Sequence, residues 1–142
     1  MSAMLYVVEL NVPANTPDGS PVSESFFIER GVITSVEVHF PPGVRGFVKT
    51  ALFRGHYQVF PRPAGTWLTG DAETVRSALF YEVKGPRERF TVYGKSPGAL
   101  YPHLITWRIT VLPKAVAMPW LALSQLVEAI YRFIETLSGR RR

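Results

Sequence analysis

Apolar and polar residues alternate with period two along most of residues 1–113. In VITSVEVHF, residues 32–40, Val32, Val36, Val38 and Phe40 fall on one face and Ser35, Glu37 and His39 on the other. That is the signature of a strand with one wet face. LITWRITVL, 104–112, repeats it, with Ile105, Trp107, Ile109 and Val111 inward and Thr106, Arg108 and Thr110 outward. Further strands are expected over 5–10, where both faces are partly apolar, over 23–29 up to a break at Gly31, and over 47–54. HYQVF, 56–60, either pairs with 47–54 as a hairpin or continues it past a bulge at Gly55. LFYEVK, 79–84, and RFTVYGK, 89–95, flank a Gly-Pro-Arg-Glu turn and read as a hairpin. The segment 11–21, with three prolines and an Asp-Gly pair, is a loop or an extended arm.

Seven to eight short strands between Pro/Gly turns, with no helical period among them, predict a mainly β fold: an antiparallel β-sandwich, jelly-roll-like. The pattern changes after Pro113. Residues 114–118 read as a linker and 119–139 as one C-terminal amphipathic α-helix, with Pro119 in its first turn and Gly139 as its cap. Trp120, Leu123, Val127, Ile130, Ile134 and Leu137 recur at alternating steps of three and four, an a/d seam that Leu126, Tyr131 and Phe133 widen. Gln125, Glu128, Arg132 and Glu135 form the polar strip. Burying such a seam is worth roughly 10 kcal/mol or more on an upper-bound area count, so it requires a dry neighbour. The neighbour is the chain's own sheet, the same helix in sister subunits, or a membrane surface.

Composition narrows the function. The 142 residues fit one β-domain, 1–113, and are 46% hydrophobic and 19% charged, as in a globular chain. With no cysteine there is no disulfide, thiolate nucleophile or cysteine metal site. The N-terminus lacks the features of a signal peptide, and no uncharged apolar run is long enough for a transmembrane span. Of the net charge of +5, three charges are the basic tail, Arg140, Arg141 and Arg142, so the basic signal is a tail rather than a face. The tail is a candidate anion contact, for nucleic acid or an anionic surface, against the simpler role of complementing the helix dipole.

Catalytic patterns are missing. His39, His56 and His103 lie in no metal-ligand spacing, and no nucleophile or phosphate-loop motif occurs. No enzymatic activity, cofactor or metal is expected. The densest cluster of chemistry is RGHYQVFPRPAGTWLTGD, 54–71, where Arg54, His56, Tyr57, Gln58, Trp67 and Asp71 could form a binding patch of stacking rings and hydrogen-bonding groups. The plainer reading makes it a structural corner whose aromatics anchor it to the core.

Three turn patterns, Phe40-Pro41-Pro42-Gly43, the G-H-x-Q-x-F-P exit at 55–61, and Tyr101-Pro102-His103, carry a resemblance. Over residues 4–113 the chain resembles a small β-sandwich family of tailed-phage and environmental viral genomes, without assigned chemistry. The resemblance implies a structural virion protein of decoration, cement, connector or fibre-base type, made in the host cytoplasm. The residues add a homo-oligomer held partly by the C-terminal helix, with other virion proteins as possible partners. The alternative is a carbohydrate- or other ligand-binding module using the 54–71 loop.

Overall fold

β-Branched and aromatic residues at alternate positions favour extended backbone, and the chain uses it almost throughout its first part. The computed structural model describes residues 3–117 and 119–140, without the side chains of 120–125 and 140. The strands are β1 (Met4–Val12), β2 (Val22–Phe40), β3 (Lys49–Arg54), β4 (Tyr57–Phe60), β5 (Glu73–Lys95) and β6 (His103–Leu112). Two helices follow, α1 (Lys114–Ala117) and α2 (Pro119–Arg140). All six strands belong to one antiparallel sheet in the order β1-β6-β2-β5-β3-β4.

The described strands number six, not the seven to eight expected from the sequence, because two apparent breaks are bulges inside long strands. Gly31 does not end a strand. Between the pairs Glu29–Arg87 and Gly31–Val83, residues Lys84, Gly85 and Pro86 face the single residue Arg30. The Gly-Pro-Arg-Glu segment is therefore not a hairpin turn. Pro86 costs no ladder hydrogen bond because it sits in the irregularity, where proline is tolerated. Glu88 Oε1 accepts the Gly85 N–H at 3.2 Å and steadies it. A second shift between Ile33 and Ser35 bends β2 again. At 55–56 the hairpin alternative holds: β3 and β4 pair across the turn Gly55-His56, with Gly55 at φ 60°.

These bends bring distant parts of the sheet face to face. Val8, Leu10 and Val12 of β1, Val36, Val38 and Phe40 of β2, Phe90 and Val92 of β5, and Ile105, Trp107 and Ile109 of β6 are buried in one cluster. Phe60 of β4 meets the Trp107 ring of β6 edge-on at 6.2 Å, although three strands lie between β4 and β6 in the sheet order. A Cβ on Gly94 would lie 2.6 Å from Val12 Cγ2 and 2.7 Å from Leu10 Cδ2, so β1 rests directly on the backbone of β5. The indole N–H of fully buried Trp107 donates to Thr50 Oγ1 at 3.0 Å, and that hydroxyl donates to the Tyr93 carbonyl at 2.7 Å.

At the N-terminus one expectation changes and one alternative is decided. Only one face of β1 is buried; Leu5 and Val7, expected to be partly covered, are 60% and 55% exposed. The following proline-rich segment is a docked loop. Ser96 N–H donates to the Thr16 carbonyl at 2.9 Å, Gly98 N–H donates to Asn15 Oδ1 at 2.9 Å, and Asp18 pairs with Lys95 at 3.1 Å.

The segment 114–118, read as a linker, contains α1, whose Lys114 Nζ lies 2.9 Å from Glu82 Oε1. Helix α2 then leaves the sheet, and each of its described side chains, 126–139, is exposed.

Candidate functional site

At 1.5 Å per residue, α2 extends over roughly 33 Å. The seam residues Val127, Ile130, Ile134 and Leu137 are 43–52% exposed, and the flanking Leu126, Tyr131 and Phe133 are 58–65% exposed. The opposite strip is held by Arg132, which pairs with Glu128 at 3.0 Å in the favourable i, i+4 geometry. Trp120 and Leu123, which begin the seam, and the side chain of Arg140 with Arg141 and Arg142 lie outside the described residues. The described part of the stripe is thus a continuous apolar surface that the chain's own sheet does not cover.

The patch read at 54–71 does not converge on one point. Gln58 is buried and committed to its own loop: its amide donates to the Pro61 and Thr66 carbonyls, both at 2.7 Å, and its carbonyl accepts the Gly65 N–H at 2.9 Å. Asp71 Oδ1 accepts the N–H groups of Gly43 and Arg45 at 3.1 and 3.2 Å, tying down the turn after β2. Tyr57 stacks on Tyr81 at 6.0 Å, with the Arg62 guanidinium over its ring at 5.1 Å. Trp67 joins Phe53 and Tyr93 in an aromatic trio, with Lys95 Nζ 4.3 Å from its ring centre.

Arg54 and His56 are the two that meet a cleft. It has a volume of about 660 Å³ and lies between the β3–β4 turn and the outer face of β2 and β5, where Ser23, Ser25, Arg89, Thr91 and Tyr93 complete it. The hydrogen bond from Arg54 to the Tyr81 hydroxyl, 3.1 Å, is the main influence pushing its pKa above the ordinary arginine value, and the nearby Glu88 charge adds to it. Arg54 Nε and Glu88 Oε2 are 3.0 Å apart, yet misaligned, so that buried oxygen has an ion-pair neighbour without a directed hydrogen bond. Arg89 donates to Ser25 Oγ at 3.2 Å, and Ser25 Oγ lies 2.9 Å from Thr91 Oγ1.

Sequence reasoning missed Arg89, Thr91 and Ser25. The alternation of RFTVY places Arg89, Thr91 and Tyr93 on one face and was a usable signal, but the partner Ser25 is 66 residues from Thr91 and only the register supplies it.

A second cleft, about 790 Å³, carries the exposed Phe47, Leu100 and Tyr101 beside Arg45 and His103. His39 instead bonds Thr74 Oγ1 at 3.0 Å, and His56 sits in the first cleft, so the three histidines lie at separate places. Among the described residues no helix is long and apolar enough to cross a membrane.

No protein-family model matches the chain, and no curated protein matches it. Among solved structures, it is similar to a chain of the cyanophage Pam1 capsid asymmetric unit, at 10% identity over 78% of this chain and 85% of that one, with a TM-score of 0.53. It also aligns with the acid-stable capsid of Helicobacter pylori bacteriophage KHP30, at 11% identity over 80% of this chain and 92% of that one, TM-score 0.46. A family 29 carbohydrate-binding module, CBM29-2, aligns at 16% identity over 80% of this chain and 79% of that one, TM-score 0.37. The last two scores are too low to carry an argument, and at 10% identity the Pam1 likeness is one of fold alone.

Proposed function

We propose that this chain is a non-enzymatic structural component of a virion, of decoration, cement, connector or fibre-base type, and that it assembles with copies of itself through α2. The observation that carries this reading is the uncovered apolar stripe of α2. Covering each half-exposed seam residue is worth about 1 kcal/mol, a cost that association removes for every helix at once. The likeness in fold to a phage capsid chain supports the virion setting, and the bent sheet, with Phe60 against Trp107, supports a jelly-roll-like closure.

Stripe width favours a bundle over a pair. Positions flanking the seam, where a two-stranded coil carries charges, hold Leu126, Tyr131 and Phe133. Three or more helices bury such flanks and two do not. The polar strip of Glu128, Arg132 and Glu135 then faces water or another virion protein. The strip is also short of the lysines and arginines that a membrane-surface helix uses.

The test is native mass spectrometry of the full chain beside the double variant Ile130→Glu/Ile134→Glu. The wild type should appear as one defined oligomer at micromolar concentration and the variant as a folded monomer. A monomeric wild type would remove the reading.

A further inference from the structure

We propose that the cleft between the β3–β4 turn and the outer face of β2 and β5 binds an acidic saccharide, with Arg89 taking a carboxylate or sulfate of the sugar. Charge singles out Arg89. Arg54, on the rim, already lies against Glu88 at 3.0 Å. Arg89 is exposed and, among the described residues, has a neutral hydroxyl as its hydrogen-bond partner and no ion pair. No carboxylate lines the cleft. A guanidinium presents paired donors that match the two oxygens of a planar or tetrahedral anion, and such charge-assisted bonds are the strong ones.

The remaining walls favour a sugar over a bare anion. Ser23, Ser25, Thr91 and Tyr93 line the cleft, and each hydroxyl both donates and accepts, as sugar hydroxyls do. The pair Ser25–Thr91, 2.9 Å apart, lies beside the Arg89 donor, so anion and hydroxyl sites adjoin. Tyr93 is held edge-on to Phe53 at 5.2 Å, giving a fixed aromatic wall. At about 660 Å³ the space lies within the ordinary range for small-molecule sites and far exceeds an inorganic oxyanion. A peptide carboxylate would instead call for apolar side pockets, and no aliphatic side chain lines this cleft.

Calorimetric titration of the full chain with four probes tests the proposal: a heparin-derived tetrasaccharide, tetragalacturonate, cellotetraose and inorganic sulfate. At least one of the two acidic tetrasaccharides should saturate a single site per chain; binding of tetragalacturonate shows that a carboxylate suffices, and binding of the heparin fragment alone assigns the sulfate, since that fragment carries both groups. Arg89→Gln should weaken that binding about tenfold or more, with an unchanged thermal midpoint as proof of folding. Replacing Arg140, Arg141 and Arg142 by Gln should leave it in place, excluding attraction to the tail. The proposal is overturned if neither acidic probe saturates at millimolar concentration. It is equally overturned if cellotetraose or sulfate binds as tightly, or if Arg89→Gln binds as wild type does. It stands apart from the assembly reading, since the Ile130→Glu/Ile134→Glu variant tests only the oligomer.

Discussion

Thr50 is a small residue with a large span of influence. Its hydroxyl accepts from Trp107 of β6 and donates to the Tyr93 carbonyl of β5, so one oxygen joins three strands inside the core. Thr50→Val keeps the shape and strips the buried Trp107 N–H of its acceptor. A buried donor stripped of its partner costs about 1–3 kcal/mol. The unfolding free energy should fall by that amount, read as a lower urea midpoint at unchanged slope, whereas an unchanged midpoint would mean that water replaces the hydroxyl. The inward set Ile105, Trp107, Ile109 and Val111 was legible from alternation alone, and all four are buried. Thr50 was not, because its partner lies 57 residues away and a threonine on an apolar face carries no sign of what it will meet. The same blindness covers the binding patch. Proximity in sequence suggested one cluster at 54–71, but turns send Gln58 inward, Asp71 to the 43–45 turn, and only Arg54 and His56 to the cleft.

Elements were legible where the pattern was regular and misread where it was interrupted. Glycine and proline mark both turns and bulges, and local sequence does not distinguish them. The deciding factor is whether the partner strand can bend at the same place, as Gly31 and Pro86 do together. Gly31→Ala would place a Cβ 2.8 Å from the Leu112 carbonyl oxygen, which is backbone and cannot swing aside. A loss of about 1–3 kcal/mol in thermal or urea unfolding is expected, in line with overpacked sites; a neutral result would show that the bend relaxes freely. Just past the same end of β6, Lys114 lowers the Glu82 pKa, chiefly through their hydrogen bond. Because folding lowers this pKa, the pair contributes above the unfolded value, and its contribution fades as pH falls through the folded one. The effect is small, since the pair is largely solvated. As pH falls below the ordinary glutamate range, the Val116 and Ala117 amides, which bond the Pro113 carbonyl, should lose protection relative to their intrinsic exchange rates. Glu82→Gln should show the lower protection at every pH, and identical protection profiles for the two proteins would refute the tie.

For the molecule as a whole, period two foretold a β body and the a/d repeat a terminal helix, but not where each face points. The likeness to a capsid chain is one of fold and supplies no role. The position of α2 has a mechanical consequence. Any tension that an assembly exerts through the helix enters the body at Leu112, the last residue of β6. Strand β6 is laced to β1 from Met4–Val111 to Val12–His103 and to β2 from Val32–Leu112 to His39–Thr106. Drawn against an anchor near residue 14, just beyond the far end of β1, the β1–β6 ladder resists in shear, all rungs sharing the load. Drawn between the two termini, the chain opens differently, because Met4 and Val111 are neighbours and the β1 ladder unzips rung by rung. An optical trap with handles at residue 14 and the C-terminus should record a clearly higher rupture force than one gripping both termini. Equal forces would mean that β6 is not the strut through which this subunit bears a pull.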